Sequence, residues 1–224
     1  MSALTCLAVA TLAFGLPDDP PPGESKRTGQ LWLSGFNGAS SSTGGTGMYF
    51  SHTTAELDGL ETPLGQPIAV LDMSRTEIGY WGKTFFGEFS IGEFAEIDYF
   101  GIGLGVHGSG KVTTTAFYDW ELHGAAMASG TSEEEDGNEL GFTEITARLG
   151  FGSYLAGGKL RPIVGVRGSQ FEGDLNSFDN SFDFEGTLIS PYVGMAFHSG
   201  GVEWRFEARA GDMEGIMISI GGRK

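Results

Sequence analysis

The sequence predicts an all-β fold, namely an antiparallel up-and-down transmembrane β-barrel of about 8–10 strands. Three observations lead to this prediction. Polar and apolar residues alternate over long segments, glycine-rich turns separate these segments, and no helical pattern lies between them. Because successive side chains of a strand point to opposite faces, the alternation gives each strand one apolar and one polar face. The segments are about 11–17 residues long, whereas about 9–11 tilted residues suffice to cross a bilayer.

Residues 111–127 illustrate the alternation. One face is mostly apolar and carries Val112, Thr114, Ala116, Tyr118, Trp120 and Leu122. The opposite face is mostly polar and carries Lys111, Thr113, Thr115, Phe117, Asp119, Glu121 and His123. We expect one long strand here, preceded by a turn at Gly108, Ser109 and Gly110, which are favourable turn residues.

Other segments repeat the scheme. The further predicted strands are residues 30–36, 47–57, 76–91, 94–107, 140–155, 159–173, 182–198, 202–211 and 216–221. Segment 76–91 has aromatic residues on both faces, so the alternation does not show which of its faces points to the interior. Tight turns are predicted at 156–158, 199–201 and 211–215, and polar loops at 131–138 and 174–181.

Composition narrows the possible function classes. The chain has 224 residues, 38 of them glycine, and 12% aromatic residues, which is too many for a disordered protein. Its net charge of −16 disfavours nucleic acid as a partner, since binding phosphates needs clustered basic residues. No run of 18 apolar residues is present, so a membrane-spanning helix is not expected and insertion would require a barrel.

The first residues differ from the rest of the chain. Residues 3–15 are apolar and end in Ala13-Phe14-Gly15, which predicts a signal peptide over residues 1–15. A short buried strand is the alternative. Residues 16–28 are Pro-rich and charged, as in a linker, and residues 29–224 are expected to form a single barrel domain. The only cysteine, Cys6, lies in the predicted signal peptide, so the remaining chain has no disulfide or thiolate metal site.

The charges on the polar faces are nearly balanced, although the whole chain is strongly acidic. They are Lys111, Arg148, Arg161, Arg167, Arg205 and Arg209 against Asp119, Glu121, Glu144, Glu203 and Glu207. A narrow lumen requires such pairing, because an unpaired buried charge is costly. We therefore predict a charge network lining the lumen, with the surplus acid in loops and termini. The alternative is a soluble secreted β-sandwich binding module, whose polar faces would form ion pairs exposed to solvent.

From residue 76 to residue 222 the organisation resembles the small bacterial outer-membrane β-barrel proteins of the OmpA/OmpX-like kind, in architecture and not by a motif. The resemblance implies a location in the outer membrane of a Gram-negative bacterium, in contact with outer-membrane lipid and lipopolysaccharide. It implies a structural, adhesive or ligand-binding role through loops such as 131–138 and 174–181, with no cofactor and no reaction. With 8 strands the interior is filled by side chains, and with 10 a narrow passage becomes conceivable.

Two weaker candidates for chemistry stand beside this interpretation. His107, Ser109 and Glu121 have a spacing that resembles the His-x-Ser and downstream Glu of the outer-membrane lipid A deacylases, which implies a base, a nucleophile and an orienting carboxylate. Gly110 stands where that family has Asn, and a plain hairpin turn is favoured. The acidic run Glu133, Glu134, Glu135 and Asp136 could attract divalent cations, but it lacks the spacing of a Ca²⁺ loop, and a solvated loop is favoured.

Overall fold

A computed structural model describes residues 30–32, 39–41, 47–82, 84–129, 139–176, 181–199 and 202–223. The predicted signal peptide and linker, residues 1–28, lie outside this range. The strands are β1 (Gln30–Trp32), β2 (Ala39–Ser41), β3 (Gly47–Leu57), β4 (Leu71–Trp81), β5 (Phe85–Phe94), β6 (Ile97–Lys111), β7 (Ala116–Ala128), β8 (Glu139–Ser153), β9 (Leu160–Asn176), β10 (Ser181–Ser199), β11 (Val202–Arg209) and β12 (Met213–Arg223).

Strands β3 to β12 form a closed barrel in which each strand pairs antiparallel with its sequence neighbours and β12 pairs with β3. The predicted up-and-down barrel is thus confirmed, with ten strands. Strands β1 and β2 form a separate two-stranded sheet ahead of it. A single 3-10 turn, Ala156–Gly158, occupies the predicted hairpin turn between β8 and β9.

Several predicted strand boundaries are wrong. Segment 76–91 is the end of β4 and most of β5, joined by a short turn. Because that turn shifts the alternation by one residue, odd-numbered side chains point inward in β4 and even-numbered ones in β5. This shift explains why aromatic residues occurred on both apparent faces.

The turn predicted at 108–110 lies instead at 112–115, where the Thr113 hydroxyl accepts a hydrogen bond from the backbone of Ala116 at 3.0 Å. Gly108 and Gly110 are instead part of strand β6, where aromatic rings of β7 lie over them. A side chain at Gly108 would collide with Trp120, and one at Gly110 with Tyr118. Residues 174–176 and 181 of the second predicted loop belong to β9 and β10.

The barrel is apolar outside and polar inside. Large exposed hydrophobic side chains cover the outer wall, for example Phe50, Ile78, Ile102, Leu122, Ile145 and Ile218. The alternating interior positions carry buried arginines, carboxylates and hydroxyls. A soluble β-sandwich needs the opposite arrangement, with its apolar faces buried between two sheets. The β-sandwich alternative is therefore wrong.

The two ends of the barrel differ. The terminal end holds the start of β3, the end of β12 and the turn at 112–115, and the loop end holds the 58–70 connection. Near the terminal end the outer wall carries a girdle of aromatic side chains: Tyr80, Phe85, Tyr118, Trp120, Phe151, Phe197 and Trp204. Aromatic girdles mark the membrane–water interface of transmembrane barrels, whose short turns face the periplasm.

The interior consists of three layers. At the loop end lies the loop-end cluster, a group of buried apolar side chains that includes Leu57, Leu60, Met73, Phe94, Phe142, Phe171, Phe184, Leu188 and Met213. At the terminal end two smaller clusters are centred on Trp81 and Phe117. The charged side chains fill the layer between them.

Interior glycines make room for the largest side chains of these layers. The Tyr192 hydroxyl lies across Gly150 of β8 and Gly165 of β9, where added Cβ atoms would come within 2.4 and 2.5 Å of it. At Gly165 the Cβ would also lie 2.2 Å from the backbone oxygen of Leu149, which cannot move without breaking the sheet.

We predict that Gly165→Ala lowers the free energy of unfolding by about 1–3 kcal/mol, because overpacking forces the wall apart. Gly168→Ala on the same strand is the control, since a Cβ there meets no atom within 4 Å. Urea titration of the barrel in lipid vesicles measures both. Equal stability of the two variants would contradict the packing described here.

Candidate functional site: the charged interior and the acidic loop end

The middle layer brings six buried arginines against seven buried carboxylates. The arginines are Arg75, Arg148, Arg161, Arg167, Arg205 and Arg209, and the acids are Glu77, Glu88, Asp119, Glu121, Glu144, Glu203 and Glu207. This set includes ten of the eleven residues predicted from the sequence to line the lumen. Lys111 is the exception, because it ends β6 at the barrel rim and its side chain is exposed to solvent.

Glu144 joins one half of this layer. Its carboxylate lies 2.7 Å from Arg75 Nη1 and 2.9 Å from Arg167 Nη2. The Thr146 hydroxyl donates to the same carboxylate at 2.8 Å. Arg167 also donates to the Ser169 hydroxyl at 3.1 Å. Strands β4, β8 and β9 are therefore connected across the lumen through one carboxylate.

Glu207 joins the other half. Its two oxygens contact Arg209 Nε at 2.9 Å, Arg205 Nη2 at 3.2 Å and Arg148 Nη2 at 3.5 Å. Arg148 also reaches Asp119 Oδ1 at 3.3 Å, and its guanidinium lies 4.4 Å from the Tyr192 ring centroid. Charge-assisted contacts of this kind compensate the loss of hydration when the charges are buried.

A third pair closes the terminal end of the layer. Arg161 Nη2 lies 2.9 Å from Glu203 Oε2, and Arg161 Nε donates to the Gly158 carbonyl at 3.1 Å. Tyr154, beyond the end of β8, places its ring centroid 6.0 Å from the Arg161 guanidinium carbon. Burial raises the pKa of Tyr154 to about 12, although the nearby arginine opposes the shift.

Glu88 is bound by neutral or weakly basic partners. His123 Nε2 lies 2.9 Å from its carboxylate, and the Tyr49 hydroxyl donates to it as well. Gly103 of β6 faces the pair, and a Cβ there would come within 2.4 Å of His123 Nε2 and 2.8 Å of Glu88 Oε1. The glycine therefore provides the space in which the pair sits.

Sequence reasoning did not place Arg75, Glu77, Glu88 or His123 in the charge network. The first three lie in β4 and β5, where the unrecognised turn concealed the alternation. His123 lies on the predicted polar face of residues 111–127 but is not among the charges counted there. The row Gly101, Gly103 and Gly105 in β6 was the available signal, since small residues on one strand face leave room for large ones opposite.

His107, Ser109 and Glu121 share the interior surface of β6 and β7. In the pairing of these strands His107 lies opposite Glu121, and Ser109 lies opposite Asp119. The His107 ring packs beside Phe86, with the centroids 6.0 Å apart. No hydrogen bond joins the Ser109 hydroxyl to His107 among the described residues, so this set is not assembled as a nucleophile and its base.

The His, Cys, Asp and Glu side chains of the described residues do not form a metal site. Within residues 47–82, 84–129, 139–176, 181–199 and 202–223, no cluster of three or more His, Cys, Asp or Glu side chains has the arrangement of a metal site. The candidate cation ligands Glu133, Glu134, Glu135 and Asp136 lie outside the described residues.

Exposed carboxylates encircle the loop end of the outer wall, and we call them the acidic belt. They are Glu56, Asp72, Glu93, Asp98, Glu139, Glu172, Asp174, Asp183, Glu185 and Glu214. The two lysines whose side chains are described, Lys111 and Lys159, both lie at the terminal end. The outer surface is thus acidic at one end and basic at the other.

Several belt residues lie directly opposite one another on paired strands. Glu214 pairs with Glu56, and Glu56 pairs with Asp72. Asp174 pairs with Asp183 and Glu172 with Glu185 in the same way. Like charges directly opposite each other destabilise a sheet. The belt therefore opposes the stability of the barrel unless cations or other positive groups screen it.

Comparison with solved structures gives likenesses of overall fold. Ail, the attachment invasion locus protein of Yersinia pestis, aligns with 81% of this chain and 99% of its own at 10% identity, with a TM-score of 0.34. Neisserial surface protein A aligns with 80% of this chain and 95% of its own, at 10% identity and a TM-score of 0.34. The translocator domain of autotransporter NalP from Neisseria meningitidis aligns with 81% of this chain and 88% of its own, at 10% identity and a TM-score of 0.41.

No protein-family model and no curated protein matches the chain. At such low identity and TM-score, the structural likenesses carry no argument about function. Among the described residues, no helix is long and apolar enough to cross a membrane.

The class of the protein follows from the barrel itself. An even number of antiparallel strands, an apolar outer wall with an aromatic girdle and a charged interior together define a bacterial outer-membrane β-barrel. The predicted fold class, the architectural resemblance and the outer-membrane location are confirmed at this level.

We predict that Glu144→Gln lowers the free energy of unfolding by about 3–5 kcal/mol, because it leaves Arg75 and Arg167 buried without their shared counter-charge. The matched control is Glu172→Gln, an exposed belt residue on β9, for which we expect a change within about 0.5 kcal/mol. Urea unfolding in vesicles measures both variants. A Glu144→Gln barrel as stable as wild type would show that the network does not compensate its buried charges in this way.

Proposed function

We propose that the protein is a non-conducting outer-membrane barrel that acts at the bacterial surface through its loop end, in a structural, adhesive or ligand-binding role without a reaction of its own. The observation that carries this proposal is the filling of the lumen. A barrel whose interior is occupied by packed and paired side chains offers no aqueous path, so its working surface is the outside.

The three interior layers support this proposal in different ways. The loop-end cluster contains stacked and tilted aromatic rings, with the centroids of Phe94 and Phe142 4.9 Å apart. The charged layer beneath it is cross-linked through Glu144 and Glu207. Aromatic and aliphatic side chains close the terminal end. An ion crossing the barrel would have to displace all three layers.

The acidic belt supports an interaction with cations at the outer surface. Its paired carboxylates lie at the end of the barrel that holds the long connection 58–70, and in transmembrane barrels the longer loops face outward. Divalent cations prefer carboxylate oxygens, and they also neutralise the phosphates of lipopolysaccharide. We therefore propose the lipopolysaccharide surface and its divalent cations as partners of the belt, with the cations held between the two charged surfaces and not in a metal site of the described residues. Segments 131–138 and 177–180 lie outside the described residues.

The alternative function, a lipid A deacylase-like hydrolase, is less well supported. Ser109 lacks a hydrogen bond to His107 in the described structure, and both side chains face the interior and not the lipid. No observation favours this function over the surface role.

We predict that the wild-type protein in planar lipid bilayers gives no stepwise ion current. Phe94→Ala combined with Phe142→Ala should give none either, because the charged layer closes the lumen without the loop-end cluster. The measurement is single-channel recording, with an open porin as the positive control. Current steps of porin size from the wild type would overturn the proposal.

We predict that Glu56→Lys stabilises the barrel by about 1 kcal/mol in buffer containing a chelator, because two like-charge pairs become opposite-charge pairs. The advantage should shrink when Mg²⁺ is added, since the cation stabilises only the wild-type belt. Lys159→Gln, a charge change at the terminal end, is the control and should show no dependence on Mg²⁺. A Glu56→Lys effect that is the same with and without Mg²⁺ would argue against cation binding.

A further inference from the structure

The connection between β3 and β4, residues 58–70, folds over the loop end of the barrel, and we call it the strap. Its Leu60 side chain is 1% exposed and lies within the loop-end cluster, whereas Leu64 at its tip is 87% exposed. We propose that the strap is a movable lid, which swings as one body and uncovers the loop-end cluster.

The strap is held together by its own hydrogen bonds. The Ile68 N–H donates to the Leu60 carbonyl at 2.9 Å, and the Thr62 N–H donates to the Gln66 carbonyl at 2.9 Å. The Gly65 N–H donates to the Thr62 carbonyl at 2.8 Å. These bonds join strap residues to one another, so they survive when the strap moves as a unit.

Three backbone hydrogen bonds tie the strap to the barrel wall among the described residues. Glu61 and Glu185 of β10 exchange two backbone hydrogen bonds of 2.8 Å each. The Asp58 N–H donates to the Asp212 carbonyl at 2.8 Å. Strands of the wall, by contrast, are paired along their length, as β10 is with β9 over seventeen residue pairs. Segments with few bonds to the rest of a protein open before the whole molecule unfolds.

Gly59 is suited to be the hinge. It has a φ of +98°, which favours glycine, and it lies two residues after the buried end of β3, at the start of the strap. On the other side, Ala69 and Val70 are exposed before β4 begins. Rotation at these two points moves the strap without disturbing β3 or β4.

The barrel wall provides a fitted seat for the lid. A Cβ at Gly186 of β10 would lie 2.9 Å from Leu60 Cδ2 and 3.0 Å from the Gly59 carbonyl oxygen. The absence of a side chain at Gly186 therefore lets Leu60 and the backbone of Gly59 lie close against the wall. Leu188 lies under the strap, since a Cβ at Gly59 would be 3.5 Å from Leu188 Cδ2.

Opening of the lid would expose apolar side chains and not a channel. The charged layer lies below the loop-end cluster and keeps the lumen closed. Movement of the lid is therefore independent of the proposed function. The lid can open in a barrel that does not conduct ions, and a rigid strap would leave the surface role intact.

The test measures the accessibility of a cysteine beneath the lid in a Cys6→Ser background. Leu188→Cys is the probe, and Met217→Cys, 1% exposed in the terminal-end cluster, is the reference. The folded barrel in vesicles is treated with a small water-soluble thiol reagent, and labelling is followed by mass. We expect Leu188→Cys to react at least about 10-fold faster than Met217→Cys, because local opening precedes global unfolding.

Two further variants move the lid in opposite directions. Gly186→Val fills the seat and should speed labelling of Leu188→Cys, whereas Gly168→Val on β9, where an added Cβ has open space, should not. A disulfide between Glu61→Cys and Glu185→Cys should slow labelling to the reference rate. Directly opposed, hydrogen-bonded residues lie about 5.5 Å apart, within the range for a disulfide.

Equal labelling of the two buried cysteines, or labelling of Leu188→Cys that the disulfide leaves unchanged, would overturn the proposal. If Gly186→Val does not fold, as judged by heat-dependent gel migration, the disulfide comparison decides alone. Conductance recordings of the same variants separate the two proposals, since current without a lid effect would count against the closed lumen only.

Discussion

The barrel depends on the pairing of charges that it cannot expose to water. Its wall is apolar outside, so the polar side chains that alternate with the lipid-facing ones must point inward. An unpaired ion there would cost several kcal/mol, whereas paired ions with additional hydrogen bonds are tolerated. Glu144 and Glu207 each accept several arginine contacts and so connect distant strands across the lumen. The layers above and below can be apolar because the charges are collected in the middle.

The sequence was sufficient for the fold and for the interior from β7 to β11. There the alternation is uninterrupted, and Asp119, Arg148, Arg167 and Glu207 could be assigned to one surface by counting every second residue. The count failed in β4 and β5 because three residues separate these strands, so odd-numbered positions face inward in β4 and even-numbered ones in β5. Arg75, Glu77 and Glu88 were lost for that reason, although their chemistry matches the rest of the network.

Other features depend on contacts between strands that alternation cannot reveal. The pairing of His123 with Glu88 needs Gly103 on the strand between them, and a single sequence does not state which strands are neighbours across the lumen. The strap is a second case. Leu60 lies in a segment rich in Gly and Pro, which reads as an exposed loop, and its burial follows from the recess at Gly186. Lys111 is the opposite case. The alternation predicts an inward-facing side chain, but β6 ends at Lys111, so this side chain lies at the barrel rim and is exposed to solvent.

The uneven distribution of charge on the outer wall has a consequence for biogenesis. During insertion the loop end must pass once through the hydrocarbon, carrying the carboxylates of the acidic belt, while Lys111 and Lys159 stay behind. Protonated or cation-bound acids cross most readily, because a bare charge at the bilayer midplane is costly. Return of the belt would require the same passage without the folding free energy to drive it. The ring of acids therefore raises the energy barrier to reversal of the barrel's orientation in its membrane.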